Sequence, residues 1–462
     1  MPKQIILAAH FPGVNNTTVW SDPASGSHID FASFVHLART AERGLFDFFF
    51  LAEGLRLREQ RGRIHDLDVV GRPDTLTVLS ALAAVTSHLG LVGTLNVTFR
   101  EPYELARQLA TLDHLSGGRA GWNLVTTSDA FTGENFRRGG YLDRSLRYER
   151  AAEFLRTART LWESWPADPV PGDRDGGRYL SVPAPGAFTH HGEQFDIAGQ
   201  FTVPRTPQLH PVILQAGDSH DGREFAAAGA DAIFSRHGTL EDGREFYRDV
   251  KSRLARYGRR PDDLKIIPGM TFVLGDTDAE AQERAHHIRR QQVSPQTAIL
   301  LLEQLWNRDL SGYDPEGPLP AENPDTSDTG ISQGRAGRYA DRIGTARQWR
   351  ALAEEKGLGI RDLIIEVTGR QSFIGTPQRI AERMDHFVQS DAADGFILVP
   401  HLTPGGLDEF VDRVVPLLQE RGVFRTAYTG TTLREHLGLG PARPVSPDAP
   451  SPVTTTVREE AA

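Results

Sequence analysis

The sequence predicts an α/β chain, a (β/α)8 barrel carrying insertions. Three observations predict it. Near-continuous apolar runs of strand length alternate with longer amphipathic runs, the pattern of a parallel sheet covered by helices. About eight such units fit between residue 4 and about residue 440. His10-Phe11-Pro12-Gly13 follows the first run, where a doubly wound open sheet would carry a glycine-rich dinucleotide turn.

The units follow in order. Residues 4–9 read as a buried strand and 30–43 as a helix. A dense aromatic run with one Asp, 46–52, is the second strand. Pro73 and Asp74 then open a helix reaching about residue 87. The strand over 89–97 leads to a helix over 102–115. Both helices start on proline, which fits the first helical turn because its missing N–H has no partner to lose there. A strand over 119–125, a Gly-rich loop and a helix over 145–165 come next. Then follow a strand over 211–215, a helix over 222–229 and a strand over 231–234. The runs 266–274 and 395–399 complete the eight. Residues 1–440 are thus expected to form one domain. Two insertions stand out: 167–203, rich in Pro and Gly and expected to cross the barrel mouth, and 307–347, polar and irregular. The Pro/Ser/Thr-rich segment 441–462 is expected to be a disordered tail, since it buries too little to offset its ordering entropy.

Composition narrows the function classes. With 462 residues and a net charge of −10, the chain lacks the basic surface that a nucleic-acid binder needs. Cysteine is absent, which removes disulfides, thiolate metal sites and cysteine nucleophiles. No run approaches the roughly 18 apolar residues of a membrane helix, and the first apolar run is too short for a signal-peptide core. A cytoplasmic enzyme is expected. HExxH, GxGxxG, Walker A and GxSxG patterns are all missing. His190-His191 and His286-His287 are chain neighbours, and adjacent helix residues share no face, so they read as solvated histidines rather than metal ligands.

Four segments can carry chemistry. In Val212-Ile-Leu-Gln-Ala-Gly-Asp-Ser219, a buried strand ends, Gly217 permits close backbone approach and Ser219 sits at a helix start. Ser219 is either a simple N-cap or part of an anion site at the helix N-terminus; its place late in a barrel, at the C-terminal face, suits a phosphate. Thr94 lies where a strand runs into its loop, with a hydroxyl for a ligand or for local backbone. Asn123 falls near another strand's exit, where an amide can both donate and accept at a ring edge. Arg144 and Tyr148, four apart, share one face of a helix start; an exposed charge and a half-buried aromatic are the plain alternative.

Together these runs resemble the bacterial-luciferase-like flavin-dependent monooxygenases of the nitrilotriacetate and dibenzothiophene sulfone monooxygenase type. The resemblance spans about residues 4–440 and rests on AERGLFDFFFLAEGL, EPYELARQLATLDHLSGGRAGWNLVTT, RYERAAEFLRTARTLWESW, VILQAGDSHDGREFAA and FIGTPQRIAERM in that order. It implies a TIM barrel that binds FMN as FMNH2 at its C-terminal face, O2 as co-substrate, and a separate NAD(P)H:flavin reductase as partner. It also implies a homodimer or homotetramer and a small organic substrate. By motif, Gly217 and Ser219 would hold the phosphate, and Thr94 and Asn123 would face the flavin ring and act in catalysis. Tyr148 and Arg144 would contact the ribityl chain or phosphate. Glu53 stands where relatives often have Asp, and Arg144 where they usually have His. His10, Trp20 and the segment 56–68 follow the first two strands and are expected on the substrate side. Arg56, Arg58, Arg61 and Arg63 read as a solvated basic loop, with attraction of an anionic substrate as the alternative. Two rival functions use the same barrel: a deazaflavin (F420)-dependent oxidoreductase and a non-catalytic flavin-binding protein. A metal-free hydrolase lacks a nucleophile and base.

Overall fold

The computed structural model describes residues 2–15, 17–65, 71–127, 130–136, 146–167, 175–180, 182–327, 331–333, 339, 341–369 and 372–444. Eight parallel strands close into a barrel: β1 (Ile6–His10), β2 (Phe48–Leu51), β3 (Gly90–Asn96), β4 (Ala120–Val125), β5 (Val212–Gln215), β6 (Ala232–Ser235), β7 (Lys265–Met270) and β8 (Gly395–Leu398). Each strand pairs with its sequence neighbour, and β8 returns to β1 with Ile6 opposite Gly395. All eight coincide with the predicted runs. The helices between them include α1 (Phe31–Arg43), α2 (Thr75–Ala83), α3 (Pro102–Ser116), α4 (Arg147–Glu163), α5 (His220–Gly229) and α6 (Leu240–Arg253).

Pleating sends alternate side chains to opposite faces of each strand. One set, including Leu7, Phe49, Leu91, Trp122 and Ile213, packs against the helices in the main core. The other, including Ala8, Phe48, Phe50, Val92, Leu214 and Ile397, fills the barrel interior. His10, Thr94 and Asn123 keep the interior parity one step further along their strands. They therefore point into the mouth at the C-terminal end. The opposite end is plugged by the short helix Leu433–His436: Leu433 joins the interior cluster, and a Cβ on Gly90 would meet its side chain at 2.5 Å.

Two regions depart from expectation. The described part of the insertion after α4 does not cross the mouth. Its hairpin, Ala187–His191 with Asp196–Gln200, leans on the outside of α3 and α4: Phe195 meets Phe154 edge-on, and Phe188 lies beside Tyr103. Buried aromatics at both ends of the hairpin explain this, since they can be covered only by the outer helices. Residues 168–174 and 181 lie outside the described set. Between β7 and β8 the chain forms more than a loop. Helices Pro295–Trp306, Arg342–Lys356 and Ile360–Thr368 share an apolar core of their own. The irregular stretch before the second of them is pinned by Arg350, which donates to the carbonyls of Pro320, Ala321 and Glu322. Its strand Ser332–Gln333 pairs with Glu59–Gln60 of the loop after β2. Of the predicted tail, residues 441–444 extend past the barrel plug and 445–462 lie outside the described residues.

Candidate active site

Parallel pairing sets Thr94 directly opposite Asn123. Asn123 donates from Nδ2 to Thr94 Oγ1 at 2.9 Å, and both side chains are buried. Asn123 Oδ1 has no partner among the described residues. Neither does Gln215 Oε1, at the end of the adjacent strand. Leaving a buried amide oxygen unpaired costs about 1–3 kcal/mol, so Asn123 marks a place in the mouth built to receive a donor, while Gln215, in register with Leu124 and Ile233, lies on the helix side of the same strand ends.

Next to them lies a tight backbone cradle. A Cβ on Gly217 would collide with Gln215 Nε2 and lie 2.7 Å from the Tyr148 hydroxyl; a Cβ on Gly222 would lie 2.9 Å from that same hydroxyl. Both positions therefore need glycine for close approach rather than for a turn. Ser219 caps α5, with Oγ accepting from Gly222 N at 3.2 Å. Tyr148 Oη stands 3.5 Å from that Oγ. The cap reading of Ser219 thus holds, and the N-terminus it forms is the place where an anion would be favoured by free N–H groups and the helix dipole.

Glu53 is committed elsewhere. It accepts from Arg100 Nη2 and from Asn96 N, each at 2.8 Å, tying the exits of β2 and β3 together. Burial pushes its carboxyl upward and Arg100 opposes this. His10 ends β1 with its ring tilted on Phe50 at 5.4 Å. Its Nε2 is sealed and unpartnered among the described residues, and burial, with Arg72 nearby, pushes it down to about 3. The ring is neutral at ordinary pH. Trp20 stands 56% exposed on the following loop. Arg144 lies outside the described residues.

Sequence reasoning passed over three groups at this end of the barrel. Gln215 ends an otherwise apolar strand, a signal that was available. His401, past β8, has an unpartnered buried Nδ1 and is pushed down to about 4 by burial. Arg72 precedes α2 with nothing in its local sequence to mark it. The basic loop is also less solvated than expected: Arg56 pairs with Glu134, and Arg61 with Glu303 and Asp309. A cavity of about 770 Å³ opens beside the exits of β6 to β8, lined by Phe234, Arg236, Thr271 and Arg383 among others. Among the described residues no helix is long and apolar enough to cross a membrane.

Comparison with known proteins places this geometry in context. Residues 10–395 match the family model described as luciferase-like monooxygenase. The chain is 39% identical over 444 residues to N-acetyl-S-(2-succino)cysteine monooxygenase of Bacillus subtilis (strain 168), covering 95% of this chain and 97% of the relative. It is 40% identical over 453 residues to nitrilotriacetate monooxygenase component A of Aminobacter aminovorans, covering 95% of each. The crystal structure of DmoA from Hyphomicrobium sulfonivorans superposes with a TM-score of 0.79 at 30% identity, over 94% of this chain and 92% of that one.

Proposed function

The chain belongs to the luciferase-like monooxygenase family and is a monooxygenase, and from that premise we propose that it is the oxygenase of a two-component, flavin-dependent system. In this reading it binds FMN in its reduced form, FMNH2, supplied by a separate NAD(P)H:flavin reductase, and uses O2 to oxygenate a small organic substrate. The observation that carries the reading is the unpaired acceptor of Asn123, set over an apolar barrel floor and beside the glycine cradle of Gly217 and Ser219. A planar ring with polar edges and a single phosphate matches those three features together.

When bound, reduced flavin supplies the electrons that activate oxygen; the protein's share is binding, orientation and exclusion of water. Asn123 Oδ1 would accept from an N–H group at the edge of the bound ring, and Gln215 would border the phosphate cradle at Gly217. Thr94 is held by Asn123, and its hydroxyl would be available to oxygen bound beside the ring. Ser219, Tyr148 and the backbone at Gly217 take the phosphate end, with Arg144 a further contact by motif. Phe50 and Phe234, stacked with ring centroids 6.3 Å apart, keep the floor dry and so limit hydrolytic side reactions. The relatives at about 40% identity are named monooxygenases, which favours this over a deazaflavin hydride-transfer enzyme or a flavin store. We further propose one domain through residue 440, a cytoplasmic location, and a homodimer or homotetramer.

Anaerobic titration should give tighter binding of FMNH2 than of FMN, and the isolated chain should not oxidise NADH. Direct NADH oxidation without a reductase would refute the two-component reading. Thr94→Val should keep FMNH2 affinity within a few-fold and Asn123→Leu, which removes the ring-edge acceptor, should weaken it further, while in both product per oxidised flavin falls at least tenfold. Lost affinity with product yield per bound flavin preserved would make the pair a ring anchor only.

A further inference from the structure

Arg72 is a half-buried cation without a counter-charge among the described residues, at the mouth of the barrel. It lies between β2 and α2, its stem packed against Gly54 with a notional Cβ there 3.7 Å away. Its hydrogen bond is to a neutral group: Nη2 donates to the Pro12 carbonyl at 2.9 Å, two residues past the end of β1. Among the described residues no carboxylate lies within ion-pair distance of it. Of the acids in the flanking segments, Asp66 and Asp68 lie outside the described residues, and Asp74 and Glu53 are occupied. Asp74 caps α2 through Thr77 N and Thr77 Oγ1, and Glu53 is held by Arg100 and Asn96 N. The charges that do reach Arg72 have its own sign: burial and Arg58 together push it down to about 10. Its field in turn helps keep His10 neutral.

Withdrawing an ion from water without a counter-charge costs stability, and the arginines of the neighbouring loops avoid that cost. Arg56 and Arg61 have acids, and Arg100 has Glu53. The His10 Nε2 atom beside it is a second sealed polar atom lacking a partner. A positive corner, an unpaired imidazole nitrogen and committed local acids together describe half of a binding site.

We propose that Arg72 receives a carboxylate of the substrate, so that this oxygenase acts on a small organic acid, with His10 hydrogen-bonding to the bound molecule. The proposal rests on the flavin-dependent oxygenase reading above. A guanidinium offers two parallel N–H groups to a carboxylate, and Arg72 has donors left after its bond to Pro12. The anion restores the missing counter-charge and directs the rest of the molecule over the barrel floor, toward Thr94 and Asn123. The phosphate of flavin has its own cradle across the mouth at Ser219, so the two anions occupy different strands' exits.

The test uses the full-length protein with succinate as probe and succinamide as its neutral match, read by thermal melting, followed by turnover of paired acids and amides with a flavin reductase. Succinate should raise the wild-type Tm by several degrees and succinamide should not. Arg72→Met should abolish that rise and, without ligand, melt no lower than wild type, because it removes an uncompensated charge. Arg72→Lys should retain part of the rise. For an acid that is turned over, Arg72→Met should lower kcat/KM at least tenfold, mostly through KM. Equal succinate response in wild type and Arg72→Met, or no response in either, overturns the proposal. A fall of several degrees in the unliganded Arg72→Met Tm also overturns it, making Arg72 a strut for the loop after β1. Loss of FMNH2 affinity in Arg72→Met with the succinate response intact assigns Arg72 to the flavin and overturns it as well. FMNH2 binding by the wild type is measured separately: its absence would defeat the flavin reading, whereas flavin binding without a succinate response would defeat this proposal alone.

Discussion

The two ends of the barrel handle buried polarity in opposite ways. At the N-terminal end, an aspartate stands immediately before each of β2, β6 and β8. Asp47 accepts from Leu7 N, Asp231 from Ile213 N and Asp394 from Ile266 N, at 2.8–2.9 Å, so each ties its own strand to the start of another. Each also meets a cation: Arg425, Arg434 and Lys251 respectively. At the C-terminal end, His10, Asn123, Gln215 and His401 each keep a buried atom without a partner among the described residues, and Arg72 keeps its charge. The strand-leading aspartates are thus paired at the closed end, where atoms of the plug such as Arg434 Nε and His436 Nδ1 lack partners among the described residues. At the open end the strand exits themselves carry the unsatisfied groups. The closed end holds the barrel shut; the open end stores binding capacity at some expense of stability.

Breaking the closed end should give the largest effect. Asp231 receives both terminal nitrogens of Arg434, at 3.1 and 2.9 Å. Asp231→Ala strands that guanidinium and frees Ile213 N, a loss of about 3–5 kcal/mol. The cations beside it, Arg434 first, outweigh burial and hold its carboxyl below the ordinary value. A depressed carboxylate contributes stability above its unfolded pKa, near 4, and loses it as pH falls through the lower folded value. Wild type should therefore gain stability relative to Asp231→Ala on going from acid to neutral pH. Denaturant unfolding at pH 3 and pH 7 measures this; an equal gap at both would remove Asp231 from the ion-pair role.

Changing the open end at the cradle should cost binding and little stability. In Ser219→Asp a carboxylate replaces a hydroxyl as N-cap, and both cap well. The added charge faces the place where the phosphate is proposed to sit, so FMNH2 affinity should fall tenfold or more while the Tm moves by no more than a degree or two. Unchanged affinity would leave Ser219 as a cap and put the phosphate elsewhere.

How much of this contrast was legible follows from its physics. Strand order was readable because buried parallel strands are apolar on both faces: runs such as Phe48–Leu51 and Val212–Gln215 announce themselves. The run 266–274 was read as one strand. It is split, with Phe272–Leu274 leaving the barrel to pair with Phe373–Gly375, and both parts are buried, so hydropathy is blind to the break. Thr94, Asn123, Gly217 and Ser219 could be singled out as candidates because each sits where an apolar run ends. Arg72 was not, because its significance lies in what is missing around it. An uncompensated charge is a property of three-dimensional neighbours, and Asp74 two residues away would have suggested a partner.

The smallest effect sharpens the contrast most directly. His10 should cost stability at the mouth, where Asp231 supplies it at the base. Its folded value of about 3 lies below the 6.5 of an unperturbed histidine. Between those values the unfolded chain takes up a proton that the folded chain refuses, so acidification favours unfolding across that window. At pH 8 neither state is charged, and His10→Leu removes only an unpaired nitrogen, a gain of about 1 kcal/mol. At pH 5 the variant also escapes the proton penalty, and its advantage should grow by about 2 kcal/mol. Asp231 is ionised throughout that range and His401 titrates alike in both proteins, so the change in the difference reports on His10. Unfolding free energies of wild type and His10→Leu at pH 8 and pH 5 supply the measurement. A constant difference would mean that the ring reaches solvent or finds a partner in solution, and would remove His10 from the set of unsatisfied groups at the mouth.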